Sequence, residues 1–142
     1  MDFHPLIIHY PIAFLTTYAV FELLCFRKLL DLPYWFYIKA ALVIIGEVSA
    51  ILTLIAAMIS DTLAVESRLV EMYKLFMFIT VIIFGIIALT YIYKQSRSSL
   101  IVPLALIGLF SIIVAGGLFG ATVYGTQFDP YLAPIFKLLN VY

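Results

Sequence analysis

The chain has 142 residues, 65% of them hydrophobic and 11% charged, with eight basic and eight acidic side chains in balance. A soluble domain carries roughly a quarter charged residues, and one of this size cannot hide so much apolar surface, so lipid is the solvent that the composition implies. The absence of any basic run excludes nucleic-acid binding on electrostatic grounds, and the lone Cys25 excludes an internal disulfide or a CxxC site.

A crossing needs roughly 20 mostly apolar residues, and helices satisfy their backbone groups internally, as hydrocarbon demands. Four segments meet that requirement, residues 5–26, 39–60, 72–93 and 100–124. Short connections make sequence neighbours antiparallel neighbours in space. The expected fold is therefore all-α, a transmembrane up-down four-helix bundle forming one domain over residues 1–142, with an interfacial tail at residues 128–142.

The opening stretch has no basic residues ahead of its apolar run and no small-x-small site after it, so it reads as a retained helix with the mature chain starting at Met1. The first span includes Pro11, which lacks an N–H and crowds the carbonyl of Ile7, so a kink or loosened turn is expected there, with His9 inside it. The connection that follows carries Arg27, Lys28, Asp31 and the run Tyr34-Trp35-Phe36-Tyr37, which reads as an interfacial aromatic belt. Glu22, close to this end, is expected to pair with Arg27 or Lys28.

The second span carries small residues at Gly46, Ser49, Ala50, Thr53, Ala56, Ala57 and Ser60, a face that lets another helix come close. It also carries Glu47, eight residues past Lys39 and so about 12 Å along the helix. A carboxyl at such depth is costly and faces a partner or a water path. Tyr18, at matching depth on the first span, is the expected partner. Two readings follow: a proton or ion pathway, or a protonated glutamate hydrogen-bonded between helices.

The second connection is mixed in charge, and Ser60-Asp61 is placed to cap the turn there. The third span is the least polar and closes with Tyr91, Tyr93 and Lys94. The fourth ends in a glycine-rich run in which Gly116 and Gly120 form GxxxG, flanked by Gly117, and either internal packing or association of copies explains it. The tail, with Pro130 and Pro134, is too short to cross and is expected to lie along the interface. Basic residues number five on the side of the first and third connections (Arg27, Lys28, Lys39, Lys94, Arg97) and three on the other (Arg68, Lys74, Lys137). That bias places both termini outside the cytoplasm.

This topology gathers His4, His9, Asp61, Glu66, Glu71, Tyr124 and Asp129 toward the outer face. His4 and His9 are five residues apart, so they point about 140° apart and differ by about 7.5 Å in height, and cannot clamp one porphyrin. A haem b would take His9 (or His4) as one axial ligand and Met72, water or another copy's His9 as the second. His4, His9 and Asp61 are acceptable ligands for zinc or iron, although no spacing such as HExxH is present. The commoner role for such a histidine is a hydrogen bond to the carbonyl freed by Pro11 or to a carboxylate. No nucleophile–base pair, phosphate-binding loop or nucleotide motif occurs, so an enzyme acting alone is not expected.

The opening HPLIIHYPIA, the Ser60-Asp61 end of the second span and GGLFGATVY in the fourth together resemble a prokaryotic four-helix membrane domain family of unknown function. In that family the first helix opens His-Pro…His-Phe-Pro-Ile, the second ends Gly-x-x-Asp, and the last has a glycine pair before Leu-Val-Tyr. The likeness covers essentially the whole chain, and its opening is the distinctive part. It picks out His4, Pro5, His9, Pro11, Asp61, Gly116, Gly117 and Tyr124. It implies location in a prokaryotic plasma membrane. Relatives occur alone or joined to Rieske or cytochrome-type modules, which implies a link to membrane electron transfer. This chain departs from the family where a further histidine commonly opens the third helix, since it reads Val70-Glu71-Met72-Tyr73-Lys74 there. It also has Ile59 where glycine is frequent. The absent histidine is the one that would have faced His9.

The leading expectation is thus a membrane bundle without independent catalysis, serving as a subunit or accessory of a redox or respiratory assembly. Its partners would be the bilayer, a membrane redox complex or further copies of itself. The alternatives are a b-type haem electron carrier using His9 and a proton or ion pathway using Glu47.

Overall fold

The computed structural model describes residues 4–24, 32–60, 68–94, 99–124 and 133–138, and within these the side chains of residues 4–7, 60, 123, 124 and 136 are outside the description. The described residues form four long helices, α1 (His4–Leu23), α2 (Trp35–Ser60), α3 (Arg68–Lys94) and α4 (Ile101–Tyr124), and a short α5 (Ala133–Leu138). Three of them are long and apolar enough to cross a membrane, over Trp35–Ile59, Arg68–Lys94 and Ile101–Thr122. The fourth expected span, α1, has 20 residues and contributes Ile8, Leu15, Tyr18 and Ala19 to the buried set.

Each long helix packs on two others: α1 on α2 and α4, and α3 on α2 and α4. Cross-helix contacts fix the directions. Glu22 meets Lys39 while Gly46 lies under Phe14 and Leu15, so α1 and α2 are antiparallel. Phe36 stacks on Tyr91 while Glu47 sits over Gly85, so α2 and α3 are antiparallel as well. Thr80 bonds Ser111 while Tyr73 packs on Phe119, and α4 reverses α3.

Glycine sets the closest approaches. A Cβ on Gly46 would stand 2.5 Å from Leu15 Cδ2, and one on Gly108 2.8 Å from the Phe84 ring. The small face of α2 therefore works at Gly46, against α1. Gly116 likewise faces inward, since its Cβ would meet Ile12 Cδ1 at 3.3 Å. Internal packing accounts for this half of the GxxxG pair. Gly117 and Gly120 are half-buried.

Several boundaries differ from the sequence reading. α2 begins at Trp35 rather than 39, because the chain turns at Leu32, whose carbonyl accepts from Trp35 N–H, and Tyr34 then receives the first helical bond from Ile38. Half of the supposed aromatic belt is thereby internal: Trp35 is buried against Phe21, and Phe36 packs on Tyr91, while Tyr34 and Tyr37 remain exposed. α3 begins at Arg68, a turn earlier than 72. α1 is helical through Pro11 and closes at Leu23, short of 26. In the short α5, Ile135 packs against the core and Leu138 is exposed.

The outer surface is apolar, with Val48, Leu52 and Ile55 of α2 and Phe78, Ile82 and Leu89 of α3 among its exposed side chains. The hydroxyls of Thr17, Thr90 and Thr122 each donate to the carbonyl four residues back, so even outward threonines leave no unsatisfied donor. Hydrocarbon requires such self-satisfaction.

Candidate functional site

The charged chemistry of the interior collects where α1 ends and α2 begins. Glu22 is 1% exposed and Lys39 5%. Lys39 Nζ donates to Glu22 Oε2 at 2.6 Å, and Tyr91 Oη donates to the same oxygen at 2.9 Å. The ammonium also stands 5.8 Å from the centre of the Tyr91 ring, within cation–π range. Three helices thus supply one carboxylate and its two donors. A lone charge cannot be buried cheaply, and both partners here are held by charge and hydrogen bonding together.

This arrangement bears on two expectations. Lys39 does not open the helix, because α2 begins a turn earlier, and it is buried in the protein. Lys39 is also the cation that the structure places on Glu22; the expected partners Arg27 and Lys28 lie outside the described residues.

One turn deeper on α1, Tyr18 is fully buried, its ring edge-on to Phe84 at 6.1 Å and to Tyr91 at 5.9 Å. Its hydroxyl lies within electrostatic reach of Tyr91 and Glu22 but has no hydrogen-bond partner. Deeper again, Glu47 is 7% exposed. Its Oε1 would be 3.3 Å from a Cβ on Gly85, so the missing side chain of that glycine is what makes room for the carboxyl. Glu47 Oε2 is buried without a hydrogen-bond partner. The expected Tyr18–Glu47 hydrogen bond is therefore not formed, because the Tyr18 ring is held instead between Phe84 and Tyr91.

Beyond Glu47 the interior polar groups are consumed locally. Thr80 Oγ1 donates to Ser111 Oγ at 2.9 Å and is 2.8 Å from the Phe76 carbonyl, and Ser111 Oγ donates to that carbonyl at 3.0 Å. Thr53 donates to the Ser49 carbonyl at 2.8 Å. Near the far end, the Tyr73 hydroxyl is buried without a hydrogen-bond partner.

The histidine site has a different standing. His9 is exposed on the face of α1 that carries Tyr10, Ala13 and Thr17, away from the core side of Ile8, Pro11 and Leu15. Met72 is half-buried against the core. The side chains of His4 and Tyr124 are outside the description, as are Asp61, Glu66 and Asp129. Among the described residues no three His, Cys, Asp or Glu side chains gather. With its imidazole on the outer face of α1, His9 does not fit a haem held between helices of one chain.

Of the interior residues, sequence reasoning named Glu47, Tyr18 and Glu22 and missed Lys39 and Tyr91 as a unit. One signal was available: Glu22 and Lys39 stand on either side of the first connection, so an antiparallel pair of helices brings them close to one another.

An apolar exterior around a charged interior is the plan of a membrane protein. Over residues 1–129 the chain matches the family model described as Predicted membrane protein (DUF2231), and it belongs to that family. No curated protein and no solved structure matches it.

Proposed function

We propose that α1 is a fourth crossing and that the chain is an up-down transmembrane four-helix bundle, serving as a non-catalytic subunit of a membrane assembly of redox or respiratory type. The Glu22–Lys39 pair carries the first part of this reading, because it ties α1 to a helix long enough to cross. With Lys39 committed to that pair, four basic residues against three still favour both termini outside the cytoplasm. Cys25 tests the topology without mutation. A membrane-impermeant maleimide should label it only from the cytoplasmic side, and labelling from the outside would reverse the assignment. Gentle extraction and sizing test the subunit role: the chain should migrate with partner polypeptides, and a free monomer would remove that reading.

A second reading, proton passage through the interior, is favoured by one specific observation. Glu47 is not the sole buried carboxyl, since Glu22 on another helix is buried with it, and the unpartnered Tyr18 hydroxyl lies between their levels. Purified protein in vesicles should show proton uptake that Glu47→Gln abolishes; equal uptake by that variant would end this reading.

A further inference from the structure

Resting on the proton reading, we propose that the polar interior is a one-sided proton well: Glu47 exchanges its proton only with the end where α1 finishes and α2 begins, by way of Tyr18, Tyr91 and the Glu22–Lys39 pair. The order along the bundle supports this. Lys39 and Tyr91 stand at one level, and Glu47 and Gly85 are about 12 Å and about 9 Å further in along their helices. Tyr18 packs on Phe84, the residue beside Gly85, and on Tyr91, so it bridges the two levels. Side chains lean toward the N-termini of their helices, which tilts Glu47 back toward the Lys39 level and Tyr18 forward toward the Glu47 level.

On this stretch Glu47 Oε2 and Tyr18 Oη are buried without a hydrogen-bond partner, and each is available to accept or pass a proton. On the opposite side of Glu47 the hydroxyls of Thr53, Thr80 and Ser111 are bound to carbonyls or to each other, and the Tyr73 hydroxyl, which has no hydrogen-bond partner, stands about 18 Å from the Gly85 level along α3. The apolar Met77, Ile112 and Leu118 are buried in the same half. The buried titratable and charged groups on the Lys39 side of Glu47 are Tyr18 and Glu22 from α1, Tyr91 from α3 and Lys39 from its own helix, and on the other side Tyr73 of α3. α4 brings none over Ile101–Thr122. Only protons move in this scheme. Glu47 gives its proton toward Tyr18, which passes its own hydroxyl proton on toward Tyr91 and the Glu22 carboxylate, and the return runs in reverse with no heavy-atom bond changed.

A hydrophobic carbodiimide, which reacts with protonated carboxyls in apolar surroundings, tests this in vesicles of known protein orientation with pH set separately on each side. Modification of Glu47, located by mass spectrometry, should follow the pH on the Lys39 side and ignore the other. Dependence on the opposite side, or equally on both, would overturn the one-sided well and leave proton exchange at Glu47 intact. No modification at any pH would overturn the exchange reading itself. Tyr18→Phe keeps the ring contacts and removes only an unpartnered hydroxyl, so it should fold and lose the response to the Lys39 side. An unchanged response would remove Tyr18 from the route.

Discussion

The two buried carboxyls solve the same problem in opposite ways. Glu22 Oε2 is matched by an ammonium and a phenol from two other helices, while Oε1 makes no hydrogen bond. Glu47 sits over a glycine with one oxygen unmatched. A matched charge behaves as structure: it fixes which helices meet and at what level. A carboxyl with neither cation nor donor contributes little to that.

Breaking the matched pair should have the largest consequence. Lys39→Met leaves Glu22 buried without its cation, and thermal unfolding in detergent should show a loss of about 3–5 kcal/mol. Adding Glu22→Gln should restore most of it, which would show that the penalty lies in the stranded charge. Tyr91→Phe removes one donor to a charged acceptor and should cost about 1.5–3 kcal/mol by the same measurement. Gly46→Ala tests the neighbouring helix contact, since its Cβ would stand 2.5 Å from Leu15 Cδ2. Displacing that fully buried side chain should cost about 1–3 kcal/mol. Glu47→Gln, which breaks no hydrogen bond of Oε2, should change stability by less than about 1 kcal/mol. A larger loss there would make the two carboxyls alike and erase the contrast between them.

Much of the fold is readable from long apolar runs, because lipid leaves few backbone solutions, and α4 begins within a residue of its expected start. Boundaries beside charges read less well. Lys39 looked like the edge of a span because an isolated lysine is costly in hydrocarbon, and only its partner 17 residues back removes that cost. Tyr91 could not be foreseen as a donor to Glu22, since 69 residues separate them and the side-by-side order of helices is not written in local pattern. Glu47 was found by depth alone, because nothing nearby in sequence explains a carboxylate there. The face on which His9 stands was not legible, because the first helix is apolar on nearly all sides and periodicity does not say which face meets the core.

The level match of Glu22 and Lys39 also bears on how the chain enters the bilayer. A lysine at the centre of an isolated helix costs about 2.5–3.5 kcal/mol to insert. Carried on adjoining helices of a hairpin, the acid and the base can neutralise each other before either meets lipid alone. Biogenesis should therefore deliver α1 and α2 as a single inserting unit, with the later helices assembling against a hairpin already closed.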